Sequence, residues 1–345
     1  TMFAATVTGS PVQNACRVIE RYEAGGRGYY AGALALLGQD AAGAQTLDSP
    51  ILIRTADIAA DGAVRVPVGA TLVRHSDPAG EVAETHAKAA GVLAALGVRP
   101  AAPRPASVEG ARPGDDPRVR AALAARRRDL APFWLRMQER PAVPTGHALV
   151  VDGEDTFTAM LAHLLRVAGL EVTVRRYDDP GLRAAALAWE GPVVLGPGPG
   201  DPADAADPKM RMLRALAAEL LTGHRHGLVG VCLGHELLAA ELGLPLIRKA
   251  EPAQGAQTRI DLFGAEEVVG FYNTYTAHCD DVLAGRLASQ GVEVARDPAT
   301  GEVHALRSRA GGFVGVQFHP ESVLTLRGAE LLRELLAGIR AVSPA

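Results

Sequence analysis

Between residues 147 and 240 the chain alternates short apolar runs with segments whose apolar residues recur every three or four positions. HALVVD (147–152) is a run of strand length, and DTFTAMLAHLLRVAG (155–169) has helical spacing. EVTVRRY (171–177) and PVVLG (192–196) read as strands, PKMRMLRALAAELL (208–221) as a helix, and GLVGV (227–231) as a further strand. A β-α-β-α order predicts a mostly parallel sheet covered by helices. Strand patterns with turns dominate 254–316, and a helix over 328–339 closes the chain. Upstream the pattern differs. Residues 11–23 are helical, ILIRTADI (51–58) and VRVPVGATLVRH (64–75) read as strands, and 80–96 form an amphipathic helix. That α+β unit is too small to bury a convincing core alone. Between the two regions lies RPAAPRPASVEGARPGDDP, with the composition of a linker. Residues 117–140 then predict a helix interrupted near Pro132, with Phe133 and Trp134 docked on a domain. The expected organisation is 1–97, a linker with a helix over 98–146, and a second domain over 147–342.

Composition narrows the function. With 345 residues, 48% hydrophobic and 21% charged, the chain is ordinary globular material, and its net charge of -4 provides no basic surface for nucleic acid. No apolar segment is long enough to cross a membrane, and TMFAATVTGSP lacks the features of a signal peptide. Cys16, Cys232 and Cys279 are widely spaced and odd in number, which fits a reducing cytoplasm and neither a disulfide framework nor a zinc site. The chain starts at Thr1 inside a strand-like pattern, as a piece of a longer polypeptide would.

The chemistry concentrates in three motifs. In GVCLGHE, Cys232 sits between a strand and a helix, with Gly230 and Gly234 two positions to either side. Side chains there would collide as the chain reverses, so the pattern predicts a nucleophile elbow with sulfur in place of oxygen. A lone cysteine is by default a buried core residue; the glycines and the strand-turn-helix context favour a nucleophile. The turn is expected to expose the thiol, the helix N-terminus to lower its pKa, and the N–H of Leu233 to stabilise an oxyanion. In VQFHPES, Pro320 keeps His319 extended, and residues two apart in an extended chain share a side. His319 can therefore act as base, oriented by Glu321. The third motif, LGPGPGDP (195–202), permits close backbone approach to a ligand, with Gly198 a candidate second oxyanion donor.

PGPG, GVCLGH and FHPES, in this order and spacing, resemble the class I glutamine amidotransferases over roughly residues 147–340. The resemblance implies a flavodoxin-like α/β domain and hydrolysis of the glutamine side-chain amide through a thioester on Cys232, with ammonia delivered to a synthase. It carries the triad over to Cys232, His319 and Glu321, and glutamine binding to Gly198, Gly200, Thr274 and Tyr275, with Glu236 in the same pocket. The first hundred residues (TVTGSP, RGYYAG, ILIRT, VGATLVRHSDP, EVAETHAK) resemble the C-terminal part of the chorismate-utilising synthases. That likeness implies a truncated α+β chorismate-binding domain. Thr6, Tyr30, Arg54, Gly69 and Lys88 would line the chorismate site, and Glu81 and Glu84, one helical turn apart, would hold Mg²⁺. By themselves, the two glutamates are a solvated helix flank. The partners implied are L-glutamine, chorismate and a missing N-terminal synthase segment that would complete the site, with a homodimer for the full-length protein.

Three departures bear on activity: the shortened synthase part, Thr71 where anthranilate synthases usually carry glycine, and GVCLGHE where the amidotransferases usually read GVCLGHQ. The expected function is glutamine-dependent amination of chorismate of the anthranilate synthase type. IDLFG and GFYNT are closer to the phenazine-type 2-amino-2-desoxyisochorismate synthases, which retain the enolpyruvyl group. A catalytically weak module that organises a synthase, and a cysteine hydrolase of another γ-glutamyl compound, remain alternatives. An ionised Glu236 near the thiol is expected to raise its pKa and slow catalysis, so Glu236→Gln should be faster.

Overall fold

Three helices begin at the dipeptide Asp-Pro, where an aspartate caps the free N–H groups and proline fits the first helical position. In the computed structural model, which describes residues 5–9, 12–41, 43, 45–73, 76–98, 100, 113–134 and 143–339, the chain divides into two units, Thr1–Ala111 and Arg112–Ala345.

The first unit contains α1 (Ala5–Thr8), α2 (Val12–Tyr22), the hairpin β1 (Leu36–Gln39) and β2 (Gln45–Asp48), the short pair β3 (Asp57–Ile58) and β4 (Val64–Arg65), and α3 (Pro78–Ala95). Asp77 caps α3, its Oδ2 accepting from Gly80 N at 2.7 Å. The expected strands over 51–58 and 64–75 shrink to β3 and β4, plus one bridge from Ile51 to Ala33. Arg74 and His75 lie outside the described residues. Apolar alternation cannot make a strand without a neighbour to pair with, and Pro67 has no N–H to offer one. Among the described residues of this unit Ala31 alone is buried.

The second unit opens with α4 (Pro117–Arg128), capped by Asp116, and a turn that packs Phe133 and Trp134 on His163. The expected docking of both rings is thus seen, while the expected helical residues 135–140 and most of the linker lie outside the described residues. There follow β5 (Gly146–Asp152), α5 (Phe157–Val167), β6 (Leu170–Arg176), α6 (Leu182–Leu187), β7 (Val193–Leu195), α7 (Pro208–Gly223), β8 (Leu228–Val231) and α8 (Leu233–Glu241). A long hairpin, β9 (Leu246–Leu262) and β10 (Ala265–Ala277), leads to α9 (Asp281–Ser289), β11 (Val292–Arg296), β12 (Val303–Ser308), β13 (Phe313–Val316) and α10 (Gly328–Gly338). The short α6 and α9 were not legible as helices; α9 interrupts the expected strand region, with Asp280 Oδ1 capping Leu283 N at 2.8 Å.

The main sheet has seven strands in the order β6-β5-β7-β8-β13-β12-β11. The first five are parallel and the last two antiparallel. This is the flavodoxin-like architecture. Along β5 Leu149 and Val151 face one apolar cluster with Leu213, Leu216 and Leu220 of α7, and Val150 faces the other with Leu161, Leu164 and Leu165 of α5. Burial on both faces explains why the strand is a continuous apolar run. Among the described residues no helix is long and apolar enough to cross a membrane.

Candidate functional site

β8 and β13 run side by side with Val231 opposite Val316, so the residues leaving their C-terminal ends are neighbours. Cys232 leaves β8 with φ 52°, ψ -105°, a left-handed conformation that costs a non-glycine residue on the order of 1–3 kcal/mol. Its N–H is fixed by Val316 O at 2.9 Å, and α8 starts at the next residue, leaving the Leu233 N–H without a partner in its own helix. The flanking glycines are sterically required. A Cβ on Gly230 would lie 2.7 Å from the carbonyl of Gly234, and one on Gly234 would lie 2.0 Å from Leu195 O. The elbow expected from the glycine spacing is present in the backbone.

One expectation about the thiol is corrected. Cys232 is buried, with 7% of its surface exposed, and burial pushes its pKa up; His319 pulls it down, and the charges of Glu236 and Asp155 push it up further. A helix N-terminus favours a thiolate, but loss of water in a closed site outweighs it.

The residues after β13 enclose the thiol. His319 Nδ1 and Glu321 Oε1 are 2.8 Å apart, and both side chains are buried. An ionised carboxylate only accepts, so Nδ1 carries the proton and Nε2, which has no partner of ordinary hydrogen-bonding geometry, is free to act as base. Burial alone would depress the imidazole; the charges of Glu321 and Cys232 overcome it and hold His319 well above its ordinary value. Phe157 and Tyr272 flank the ring at 4.7 and 5.1 Å, and Thr325 Oγ1 donates to the His319 carbonyl at 2.6 Å. The sequence reasoning missed Gln317. Its Nε2 lies 2.9 Å from Glu236 Oε1 and 3.9 Å from Cys232 Sγ. Two-residue alternation back from His319 would have placed Gln317 on its side, whereas Glu321 is brought to His319 by a turn in which Ser322 N donates to His319 O at 3.1 Å.

Glu236 is 4% exposed and lies one turn from Cys232 on α8. Burial raises its pKa from an ordinary 4.5 to about 8, partly offset by Gln317 and His319. At pH 7 the carboxyl is therefore mostly neutral, and the charge that the glutamate was expected to bring appears only in alkaline solution. Gly198 packs on Gly153, where a Cβ would come within 2.3 Å of the Gly153 carbonyl oxygen, and Gly200 (φ +131°) turns over Met210. The backbone beside them is held by Lys209, another residue not foreseen, whose buried Nζ donates to Gly153 O at 2.6 Å and Pro199 O at 2.9 Å. Thr274 lies where β10 slips register against β9. Burial, then Asp201 and Glu236, raise the pKa of Tyr275, and Asp201 also helps burial raise that of Glu236.

In the first unit, Thr6, Tyr30, Arg54, Gly69, Glu84 and Lys88 line one cavity of about 720 Å³, together with the cations Arg27 and Arg65. Lys88 Nζ donates to Gly69 O at 2.9 Å and pairs with Glu84 at 2.8 Å. Gly69 is needed because a Cβ would lie 2.9 Å from the Tyr30 hydroxyl. Thr71 Oγ1 donates to Thr6 O at 2.9 Å. Glu81 is not among the cavity residues; its Oε2 is buried without a partner, and its carboxyl is close enough to Glu84 to help lower that residue's pKa, behind the larger effect of Lys88. Among the described residues no three acidic, histidine or cysteine side chains are set to hold a metal. Two adjacent carboxylates, one with an unused oxygen, fit Mg²⁺, which commonly takes one or two protein carboxylates and completes its shell from water and substrate.

Comparison with known proteins covers both units. Residues 149–338 match the family described as glutamine amidotransferase class-I, and residues 1–94 match that described as chorismate binding enzyme. "Anthranilate synthase, phenazine specific" of Pseudomonas fluorescens is 49% identical over 97% of this chain and 51% of its own length. The protein of the same name from Pseudomonas chlororaphis is 47% identical with the same coverage. The chain thus spans about half the length of these relatives. "Aminodeoxychorismate synthase component 2" of Klebsiella aerogenes is 30% identical over 54% of this chain and 98% of its own length.

Proposed function

Because the chain belongs to the glutamine amidotransferase class-I family, we propose that Cys232, His319 and Glu321 hydrolyse the side-chain amide of L-glutamine and that the ammonia aminates chorismate in the whole protein. The observation that carries this is the left-handed elbow thiol beside an imidazole whose far nitrogen is held by a buried carboxylate. His319 Nε2 takes the thiol proton as Sγ attacks the amide carbon. The oxyanion meets the N–H groups of Leu233 and Gly198. The imidazolium then protonates the leaving nitrogen, releasing ammonia and a thioester. Water, deprotonated by His319, attacks the thioester to release glutamate as the C–S bond breaks, and the imidazolium returns the proton to the departing sulfur. Gly200, Glu236, Thr274 and Tyr275 form the rest of the glutamine pocket.

Chorismate is a dianion with a hydroxylated ring, and the cavity of the N-terminal unit offers Arg54, Lys88, Arg27 and Arg65 to its carboxylates. Thr6, Tyr30 and the backbone at Gly69 complete that wall. Glu81 and Glu84 would hold Mg²⁺, which would supply charge neutralisation for a chorismate carboxylate. The names of the Pseudomonas relatives favour a product on a phenazine route, and Thr71 in the cavity wall stands where the product is decided. The reaction belongs in a reducing cytoplasm, where Cys232 stays a free thiol; the homodimer implied for the full-length protein remains part of the proposal.

A glutaminase assay tests the first half on this chain. Cys232→Ala should lower glutamate release by about three orders of magnitude or more. Retention of parental activity by a folded Cys232→Ala protein would remove Cys232 from the reaction.

A further inference from the structure

The side chain of Gln317 is buried and has a single amide nitrogen within reach of two acceptors on α8. One is the sulfur of the nucleophile at 3.9 Å, at the outer limit of a hydrogen bond to sulfur, and the other is Glu236 Oε1 at 2.9 Å. The amide oxygen of Gln317 has no partner of its own, although it too is buried. A buried amide with an unused acceptor is costly to keep for packing alone. An apolar side chain would fill the same space without that cost.

The amide has two hydrogens, so it can serve both acceptors, but its lean towards each depends on their charge. Charge-assisted hydrogen bonds are shorter and roughly twice as strong as neutral ones. When Cys232 ionises, the sulfur becomes the stronger acceptor; when Glu236 ionises, the carboxylate does. We propose that Gln317 is a catalytic residue that donates to the thiolate of Cys232, and that Glu236, competing for the same nitrogen, sets how much of that donation the thiolate receives. The proposal rests on Cys232 being the nucleophile and assigns to Gln317 a part in generating it.

Other charges around these groups limit what can mimic the effect. Cys232 feels His319, Asp155 and Glu236. Glu236 feels His319 and Asp201, and it acts in turn on Tyr275. His319 exchanges its proton with Cys232 itself and is common to all the variants, while burial and Asp201 raise Tyr275 above its ordinary 10, so the phenol stays neutral near pH 8. Glu236, raised to about 8 by burial, is the group of this set that ionises there. Its ionisation puts a negative charge one helical turn from the sulfur and draws the Gln317 amide away from it. Both consequences lower the thiolate fraction.

The test is the rate at which iodoacetamide alkylates Cys232, followed from pH 5.5 to 9.5 by mass spectrometry of the Cys232 peptide. It needs no glutamine, and the reagent is uncharged. Reading the Cys232 peptide separates it from the exposed Cys16. Gln317→Met keeps length and removes the donor; at pH 7 alkylation should fall about 10-fold, the effect of raising the thiol pKa by about one. Glu236→Gln should change the rate less than about twofold at pH 6 and raise it about 10-fold at pH 9. In the double variant most of that alkaline gain should disappear, since the donor being contested is gone. A parental pH profile in folded Gln317→Met overturns the proposal. If Gln317→Met does not fold, Glu236→Gln decides: no gain at pH 9 overturns it equally. Loss of glutaminase in Cys232→Ala, together with unchanged alkylation profiles in these variants, would leave the nucleophile in place and remove only Gln317 from its activation.

Discussion

Glu236→Gln should stabilise the fold, and by an amount that depends on pH. A carboxyl whose pKa rises on folding binds its proton more tightly in the native state than in the unfolded chain. Stability is then greatest below the unfolded value and falls as pH rises towards the folded one. For Glu236 that window runs from 4.5 to about 8. Each tenfold change in proton affinity is about 1.4 kcal/mol, so the ceiling is about 5 kcal/mol, and relaxation around a buried charge reduces it to about 2–4 kcal/mol. Glutamine cannot ionise, still accepts from Gln317 Nε2, and brings an NH₂ group to the partnerless Gln317 Oε1. Thermal unfolding of the parent and Glu236→Gln at pH 5, 7 and 8.5, at constant ionic strength, measures the difference. At pH 5 the two should melt within about 2 °C of each other. At pH 8.5 the variant should be ahead by on the order of 10 °C, given about 2–4 °C per kcal/mol for a unit of this size. A gap that stays constant with pH, or a less stable variant at pH 8.5, would refute the reasoning.

Glu236→Gln should also raise glutaminase kcat/KM by about 10-fold above pH 8 and by less than about threefold at pH 7, read from a pH–rate profile. Lys209→Met removes two donors beneath the loop that carries Gly198 and Gly200; glutaminase kcat should drop about 10- to 100-fold, and the melting temperature should fall by the equivalent of about 1–3 kcal/mol. In the full-length protein, Cys232→Ala should abolish amination from glutamine while ammonium still supports it, as product assays with each nitrogen source would show. Glu84→Ala in the same protein should lower chorismate turnover by about 100-fold or more and leave Cys232 alkylation unchanged.

Local rules made the elbow and the triad legible. Gly230 and Gly234 are required by atoms within a few residues or on the next strand. His319 and Glu321 are two residues apart, although a turn in which Ser322 N donates to His319 O at 3.1 Å, and not the extended alternation expected, brings them together. β5, β7 and β8 were legible because burial on both faces writes a continuous apolar run, and the edge strand β6 because its residues alternate. What could not be read depends on distant parts of the chain. The proton on Glu236 is kept there by burial among distant parts of the chain, against the opposing hydrogen bond from Gln317, which lies 81 residues along. Lys209 reaches a carbonyl 56 residues away, and its own helix reads as amphipathic with or without that contact. The raised thiol pKa belongs to the same class: the sequence places the helix N-terminus but not the walls that exclude water. In the first unit, alternation over 51–58 and 64–75 suggested strands, but pairing partners decide strands, and few are present among the described residues.

The spacing of Gln317, His319 and Glu321 constrains length as well as composition. Phe318, between the first two, is fully buried in an apolar cluster with Phe271, so the segment is committed on both of its sides. Inserting a single residue just after Val316 would turn Phe318 towards the thiol and Gln317 and His319 into the apolar cluster, carrying Glu321 away with His319. Gene copies drifting without selection should therefore lose the base, its orienting acid and the amide donor in one event, while point substitutions remove them one at a time. A relative that keeps GVCLGH but carries an indel in this segment is expected to retain a folded domain whose cysteine is inert.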